Sequence, residues 1–249
     1  ILGAGYVGSS LASVIALNNP DYTVVVQDIN EKLIAEYQSK QYNIKEEKLG
    51  DFLDKTIDKN LFFTTSEELT HKDAEIYFIC VSTDSKRTGT GQGENLNISA
   101  IRNCLLEICR NKKQHNDKKG FIIVEKSTVP VGTAKYIRNL LEVELSTNHQ
   151  ELLDKISVIS SPEFSAEGTF IKNLVTTDRV INGREMAENP VHKHAEAKIE
   201  QIYRSFVAEG TTILKTNTFS SELTKLASNA FLAQRISSIN SISAICDKT

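Results

Sequence analysis

The sequence predicts an α/β protein, a doubly wound and mostly parallel sheet followed by the start of a long helix. Three observations predict it. Short apolar runs, rich in β-branched and aromatic residues, alternate with stretches of helical period along most of the chain. The runs are almost continuously apolar, as strands buried on both faces are, and lack the strict alternation of a half-solvated sheet. After the seventh run the pattern changes to one long amphipathic stretch, NTFSSELTKLASNAFLAQRISSINSISAICD.

The opening residues ILGAGYVG read as the end of a strand running into a turn. The strands expected after it cover 23–28, 61–65, 75–81, 121–127, 156–161, 178–183 and 211–216. Helical periodicity is expected over 6–17, 30–41, 97–113, 132–145 and 194–208. A strand, helix, strand order implies parallel pairing through right-handed crossovers. The Gly-, Ser- and Thr-rich stretch 82–97 is expected to be a mobile loop, and 110–120 and 184–194 are surface connections. Both ends look cut, so the chain is expected to be part of a longer protein.

Bulk properties narrow the function. The chain has 249 residues, 40% hydrophobic and 24% charged, enough for a sizeable core. A formal charge of −3 argues against a nucleic-acid partner. No apolar run of about 18 residues is present, so no membrane partner is expected. The four cysteines form neither a CxxC pair nor a dense framework, which points to a reducing, cytoplasmic setting. None lies in a Gly-rich loop beside a basic residue, the setting of a reactive thiolate. The five histidines lie in polar stretches without ligand spacing, and no metal site is expected.

The strongest motif is GAGYVG. Gly3, Gly5 and Gly8 leave a strand and open a helix, and Asp28 ends the next strand about 20 residues beyond the last glycine. Gly3 permits the tight turn, Gly5 lets backbone approach a pyrophosphate, and Gly8 lets helix and strand pack closely. The helix N-terminus offers unpaired N–H groups to phosphate. Asp28 suits ribose hydroxyls and would repel a 2′-phosphate, so the expected cofactor is NAD rather than NADP. The fold is thus expected to be Rossmann-like over 1–216, with 217–249 starting a central connecting helix.

Two further motifs end strands at the edge where open α/β sheets bind ligands. In EKSTVPVGT, Ser127 and Thr128 can donate to a ligand or simply cap a turn. In SSPEFSAEGT, Glu163 and Glu167 stand four apart and would share a face if the turn is helical. One could act as a base, or both could serve a helix dipole. Lys225 and Asn229, one turn apart in the last helix, are either a solvated stripe or a pair of aimed donors. The apolar stripe Leu226, Phe231, Ile236, Ile239 and Ile242 would leave a face to be covered by a second domain or another subunit, so a homo-oligomer is expected.

Taken together, GAGYVG, EKSTVPVGT, SSPEFSAEGTFIKNL, TDRVING and the last stretch resemble the UDP-glucose/GDP-mannose dehydrogenase family over nearly the whole chain. The last stretch is most like the animal-type members that oxidise UDP-glucose. That resemblance implies NAD-dependent oxidation of UDP-glucose to UDP-glucuronate by two hydride transfers, through a thiohemiacetal and a thioester on a cysteine. GDP-mannose or UDP-N-acetylmannosamine oxidation stays open beside it, as does a non-catalytic NAD-binding module. By resemblance, Gly3, Ala4, Gly5, Tyr6, Val7, Gly8 and Asp28 hold one half of NAD. Val81, Ser82, Thr83, Ser127 and Glu167 line the nicotinamide half. Glu163 activates the hydrolytic water, held also by Thr128. Glu163, Phe164, Ser165, Ala166 and Glu167 touch the sugar together with Lys225 and Asn229, and these last two stabilise an oxygen that gains negative charge. The sequence departs from the family at Asp84 and Ser85, where Pro and Thr are usual in the loop, at Ser161, where Asn is usual, and at Ser165, where Leu is usual. The family's nucleophilic cysteine and nucleotide-sugar domain would lie beyond Thr249.

Overall fold

In a computed structural model of the chain, seven strands alternate with helices as the pattern of apolar runs requires. The structure describes all residues except Lys72, Gly91, Glu94, Thr147, Asn148, Glu167, Ala187, Lys248 and Thr249. The strands are β1 (Val24–Gln27), β2 (Leu61–Thr64), β3 (Ile76–Ile79), β4 (Ile122–Glu125), β5 (Ser157–Ser160), β6 (Arg179–Arg184) and β7 (Thr212–Asn217). The helices are α1 (Tyr6–Asn18), α2 (Glu31–Gln38), α3 (Leu49–Thr56), α4 (Glu67–His71), α5 (Ser99–Gln114), α6 (Thr133–Leu145), α7 (Gln150–Leu153), α8 (Phe170–Val175), α9 (Pro190–Arg204) and α10 (Thr218–Cys246).

β1 pairs with β2, and β3 through β7 form a second ladder in chain order. All pairs are parallel except β5 with β6. Leu2 joins the two ladders, bridging Gln27 on one side and Ile79 on the other. The opening residues therefore lie in the middle of the sheet. From there the chain builds outward through β1 and β2, then crosses back to β3 on the opposite side. That reversal opens a crevice at the carboxyl ends of the strands, the place where doubly wound sheets bind ligands.

Two apolar layers cover the sheet. One contains Leu11, Ile15, Leu53, Phe170, Ile199 and Tyr203, from α1, α3, α8 and α9. The other contains Ile101, Leu105, Ile108, Ile137 and Leu141, from α5 and α6. The i, i+4, i+7 spacing of Ile101, Leu105 and Ile108 is what places them on one helix face. Burying each such side chain contributes roughly 1.5–3 kcal/mol.

Four short helices, α3, α4, α7 and α8, were not expected from sequence. Isolated helices of this length do not hold in water and depend on packing. The stretch 82–97 is not wholly irregular, since Ser85 bridges Leu96 and Lys86 N–H donates to Asn95 O at 2.7 Å. Two histidines also differ from expectation. His71 is buried against Glu107 at 2.8 Å, and His192 is buried with Nδ1 3.0 Å from the Ser157 hydroxyl. Cys109 is buried, but Cys104 is only half-buried.

α10 touches the sheet through its first turns, where Thr218, Ser221 and Glu222 are buried. Beyond them Phe231, Ile236, Ile239 and Ile242 are more than half exposed. No helix among the described residues is long and apolar enough to cross a membrane.

Candidate functional site

Covalent geometry explains the glycine turn. Gly3 has φ +104°, and a Cβ there would stand 2.7 Å from Cys80 O. A Cβ on Gly8 would stand 1.9 Å from Gly3 O. Only hydrogen fits at these two positions. Gly5 is different, with nothing within 4 Å of where its Cβ would be. It is also the N-cap of α1 and supplies no capping side chain. The turn thus presents bare backbone and a helix N-terminus to open space, which is what a pyrophosphate requires.

Asp28 splints this turn. Its Oδ2 accepts the Ala4 N–H at 2.8 Å, and its Oδ1 accepts the Asn30 N–H at 2.9 Å. Each carboxylate oxygen keeps a lone pair, since each offers two. Ala4 O accepts the Tyr37 hydroxyl at 3.2 Å, so the turn is held from both sides. Val7 packs its side chain on the core. The Tyr6 hydroxyl bonds Glu46 and accepts the Gly168 N–H, while Glu46 Oε1 accepts the Ile171 N–H at 2.9 Å. Burial and the Glu46 contact push the Tyr6 hydroxyl up to about 12. Its side chain therefore ties α1 to the 163–171 segment and leaves only its backbone for a ligand.

At the ends of β3 and β4 two loops are stitched together. The Ser127 hydroxyl donates to Val81 O at 2.6 Å, and the Thr83 hydroxyl donates to Thr128 O at 2.5 Å. Thr83 is buried, Ser82 is exposed, and Val81 and Thr128 are half-buried.

Beside these loops lies a charged cluster. Lys126 is 3% exposed, and its Nζ stands 3.1 Å from Glu163 Oε2 and donates to the Tyr203 hydroxyl at 2.8 Å. Glu163 Oε1 accepts the N–H groups of Phe164 and Ser165, each at 2.9 Å, and the Ser165 hydroxyl at 2.5 Å. Burial opposes the charge of Glu163, but Lys126 and Ser165 outweigh it and hold the carboxyl below its usual range. Burial likewise opposes the charge of Lys126, and Glu163 and Tyr203 hold it above its usual value. Lys225 Nζ lies over the Phe164 ring, 5.3 Å from its centroid. Burial lowers its pKa, against the pull of Glu163. Asn229, a turn further along α10, is exposed, as is Ala166. Lys126, Glu163, Phe164, Ser165, Arg179 and Tyr203 line a cavity of about 350 Å³.

No helical turn forms over 161–166, where Glu163 and Glu167 would share a face only if one did, and the next helix begins at Phe170. Pro162 and the Glu163 contacts to its own following amides favour the irregular turn. Glu167 itself lies outside the described residues. Sequence reasoning missed Lys126, Tyr203 and Glu46. For Lys126 a signal existed, because a lysine ending an apolar strand must find a partner if buried. For Tyr203 and Glu46 none did. Burial pushes the thiols of Cys80 and Cys104 up to about 12, so neither is a thiolate at neutral pH. Among the described residues no group of three or more His, Cys, Asp or Glu could hold a metal ion.

The family model described as "UDP-glucose/GDP-mannose dehydrogenase family, NAD binding domain" matches residues 1–207, and that of the family's central domain matches 219–249. The chain belongs to the UDP-glucose/GDP-mannose dehydrogenase family. Its first domain is therefore an NAD-binding domain, and the open glycine turn with Asp28 fits that cofactor. UDP-glucose 6-dehydrogenase of Pongo abelii is 42% identical over 248 residues, covering 100% of this chain and 48% of the relative. A UDP-glucose dehydrogenase from Pyrobaculum islandicum superposes with TM-score 0.80 at 26% identity, covering 97% of this chain and 51% of that one. A GDP-mannose dehydrogenase from Pseudomonas aeruginosa gives TM-score 0.80 at 24% identity, covering 96% and 50%. The chain spans about half the length of the curated relatives it matches.

Proposed function

We propose that this chain is the NAD-binding part of an enzyme that oxidises carbon 6 of UDP-glucose to the carboxylate of UDP-glucuronate. The observation that carries the reading is the link from the glycine turn to the 163–171 segment. Tyr6, in the first turn of α1, bonds Gly168 and Glu46, and Glu46 bonds Ile171. These bonds support reading the cofactor turn and the Glu163–Lys126–Lys225 cluster as one site.

Bound at this site, NAD would supply the hydride acceptor for each of two oxidations of the sugar carbon. The backbone of Gly3, Ala4, Gly5, Tyr6, Val7 and Gly8, with Asp28, holds its adenosine and phosphate half. Val81, Ser82, Thr83, Ser127 and Glu167 border the nicotinamide half. Glu163 takes a proton from the water that releases the acid, with Thr128 holding the same water. Lys225 and Asn229 donate to the oxygen that gains charge, an interaction worth roughly 3–4 kcal/mol per donor in a dry site. Glu163, Phe164, Ser165, Ala166 and Glu167 face the sugar. Burial lowers the Lys225 pKa, so it gives up a proton more readily than an exposed lysine and can exchange one with a substrate oxygen.

The nucleophilic cysteine is supplied from outside these residues. Residues 1–216 form the NAD-binding unit and 217–249 begin the central helix. The exposed apolar face of α10 is covered in a cytoplasmic homo-oligomer. The test is NADH formation from UDP-glucose by the protein extended through its cysteine-bearing domain, with GDP-mannose and UDP-N-acetylmannosamine run in parallel. Two NADH per UDP-glucuronate is the expected result. Turnover of another sugar nucleotide alone reassigns the substrate, and NAD binding without any turnover makes this a non-catalytic module.

A further inference from the structure

We propose that Lys126 and Ser165 are positioning residues, a clamp that keeps the Glu163 carboxylate ionised and leaves only its Oε2 free to meet a proton. The inference rests on the reading of Glu163 as the base and deepens it.

Lys126 cannot move. Its ammonium donates to the Tyr203 hydroxyl at 2.8 Å. Tyr203 must then donate onward, to the Ser161 hydroxyl at 2.9 Å, and Ser161 donates to Asn182 Oδ1 at 2.9 Å. Every member is buried. The donors run in one direction from Lys126 to Asn182, which is the arrangement in which buried hydrogen bonds reinforce one another. The same ammonium is ion-paired with Glu163 Oε2, 3.1 Å away.

The other half of the clamp acts on Oε1. Two amides and the Ser165 hydroxyl converge on this oxygen. A carboxylate oxygen has two lone pairs, so Oε1 is saturated and cannot take a proton from water. Oε2 has one contact and one lone pair remaining. Serine at 161 and 165 stands where the family resemblance expects Asn and Leu. Both hydroxyls are spent on this network, one through Tyr203 and Lys126 and the other directly. A leucine at 165 would leave Oε1 with the two amides alone.

The charged and titratable groups facing Glu163 come from several elements. Lys126 follows β4, Lys225 lies on α10, Cys80 follows β3 and Tyr203, one step removed, lies on α9. Lys126 dominates because it is close and fully desolvated.

The test needs no turnover. In protein carrying ¹³C-labelled glutamate, the Glu163 carboxyl is assigned by its absence from the Glu163→Gln spectrum and titrated by NMR. Ser165→Leu is expected to move its midpoint upward, Ser165→Thr to restore it, and Lys126→Gln to move it further upward. Should Lys126→Gln fail to fold, as loss of one partner of a buried pair can cause, the two Ser165 variants decide. An unchanged midpoint in Ser165→Leu overturns the clamp. If the midpoint moves as expected but Glu163→Gln leaves UDP-glucose turnover of the cysteine-bearing protein intact, the clamp stands and the assignment of Glu163 as the base falls.

Discussion

Glu222, in the second turn of α10, caps the first turn of α6. Its carboxylate accepts the Gly132 N–H at 2.5 Å and the Ala134 N–H at 2.7 Å, and its side chain is buried. Gly132 takes φ +97° at the N-cap and has no side chain to do this work itself. An acid at a helix N-terminus is favoured by the dipole. Here it also docks the long helix onto the sheet.

Glu222→Ala is therefore expected to destabilise the protein by about 1–3 kcal/mol, the cost of leaving buried donors unpaired. Urea unfolding followed by circular dichroism measures it. A loss under about 0.5 kcal/mol would mean that water replaces the carboxylate without cost.

Glu125, the last residue of β4, is a buried acid of a different kind. Neither of its oxygens makes a well-formed hydrogen bond. Burial, and then the nearby Glu222 charge, push its pKa well above the usual range. Such a group contributes stability that is complete below its unfolded pKa, about 4.3, and is lost as pH rises toward the folded value. The difference in stability between wild type and Glu125→Gln is expected to favour the glutamine increasingly from about pH 4.5 upward. Denaturation series at several pH values read this directly, and a difference independent of pH would show that Glu125 titrates alike in the folded and unfolded states.

Gly5 and Gly8 of the turn should separate by function. Gly8→Ala puts a methyl group 1.9 Å from Gly3 O and should prevent the native packing of α1. Gly5→Ala meets no atom of the protein, so its melting temperature should stay close to wild type. Its NAD affinity should fall at least about tenfold, because the methyl group occupies the space a pyrophosphate needs. Equal NAD affinity for wild type and Gly5→Ala, by calorimetry, would place the phosphates elsewhere.

Asp28 should set the choice of cofactor. NAD is expected to bind at least about tenfold more tightly than NADP, since a phosphate against a carboxylate costs more than about 1.4 kcal/mol. Asp28→Asn keeps an oxygen for the Ala4 N–H and removes the charge, so it should narrow the gap, while the Asn30 N–H loses its acceptor. Asp28→Ala should narrow it too, but also loosen the turn. Equal affinities in wild type would remove Asp28 from the ribose.

The sequence by itself determined the alternation of strands and helices, the doubly wound class, the glycine turn and its pairing with Asp28. These rest on local chemistry: backbone sterics at Gly3 and Gly8, and apolar periods that a helix or a strand can bury in only one way. Tertiary structure alone decided that Lys126 meets Glu163, that Tyr203 anchors Lys126, that Tyr6 and Glu46 bind the 163–171 segment to α1, and that Glu222 caps α6. Each of these joins residues far apart in the chain, and no period or spacing encodes which distant partner a buried charge will find. The same reason explains why the spacing of Glu163 and Glu167 left the shape of that turn open. Four-residue spacing describes a face only once the backbone is helical, and at 161–166 the contacts of one carboxylate with its own amides outweighed that pattern.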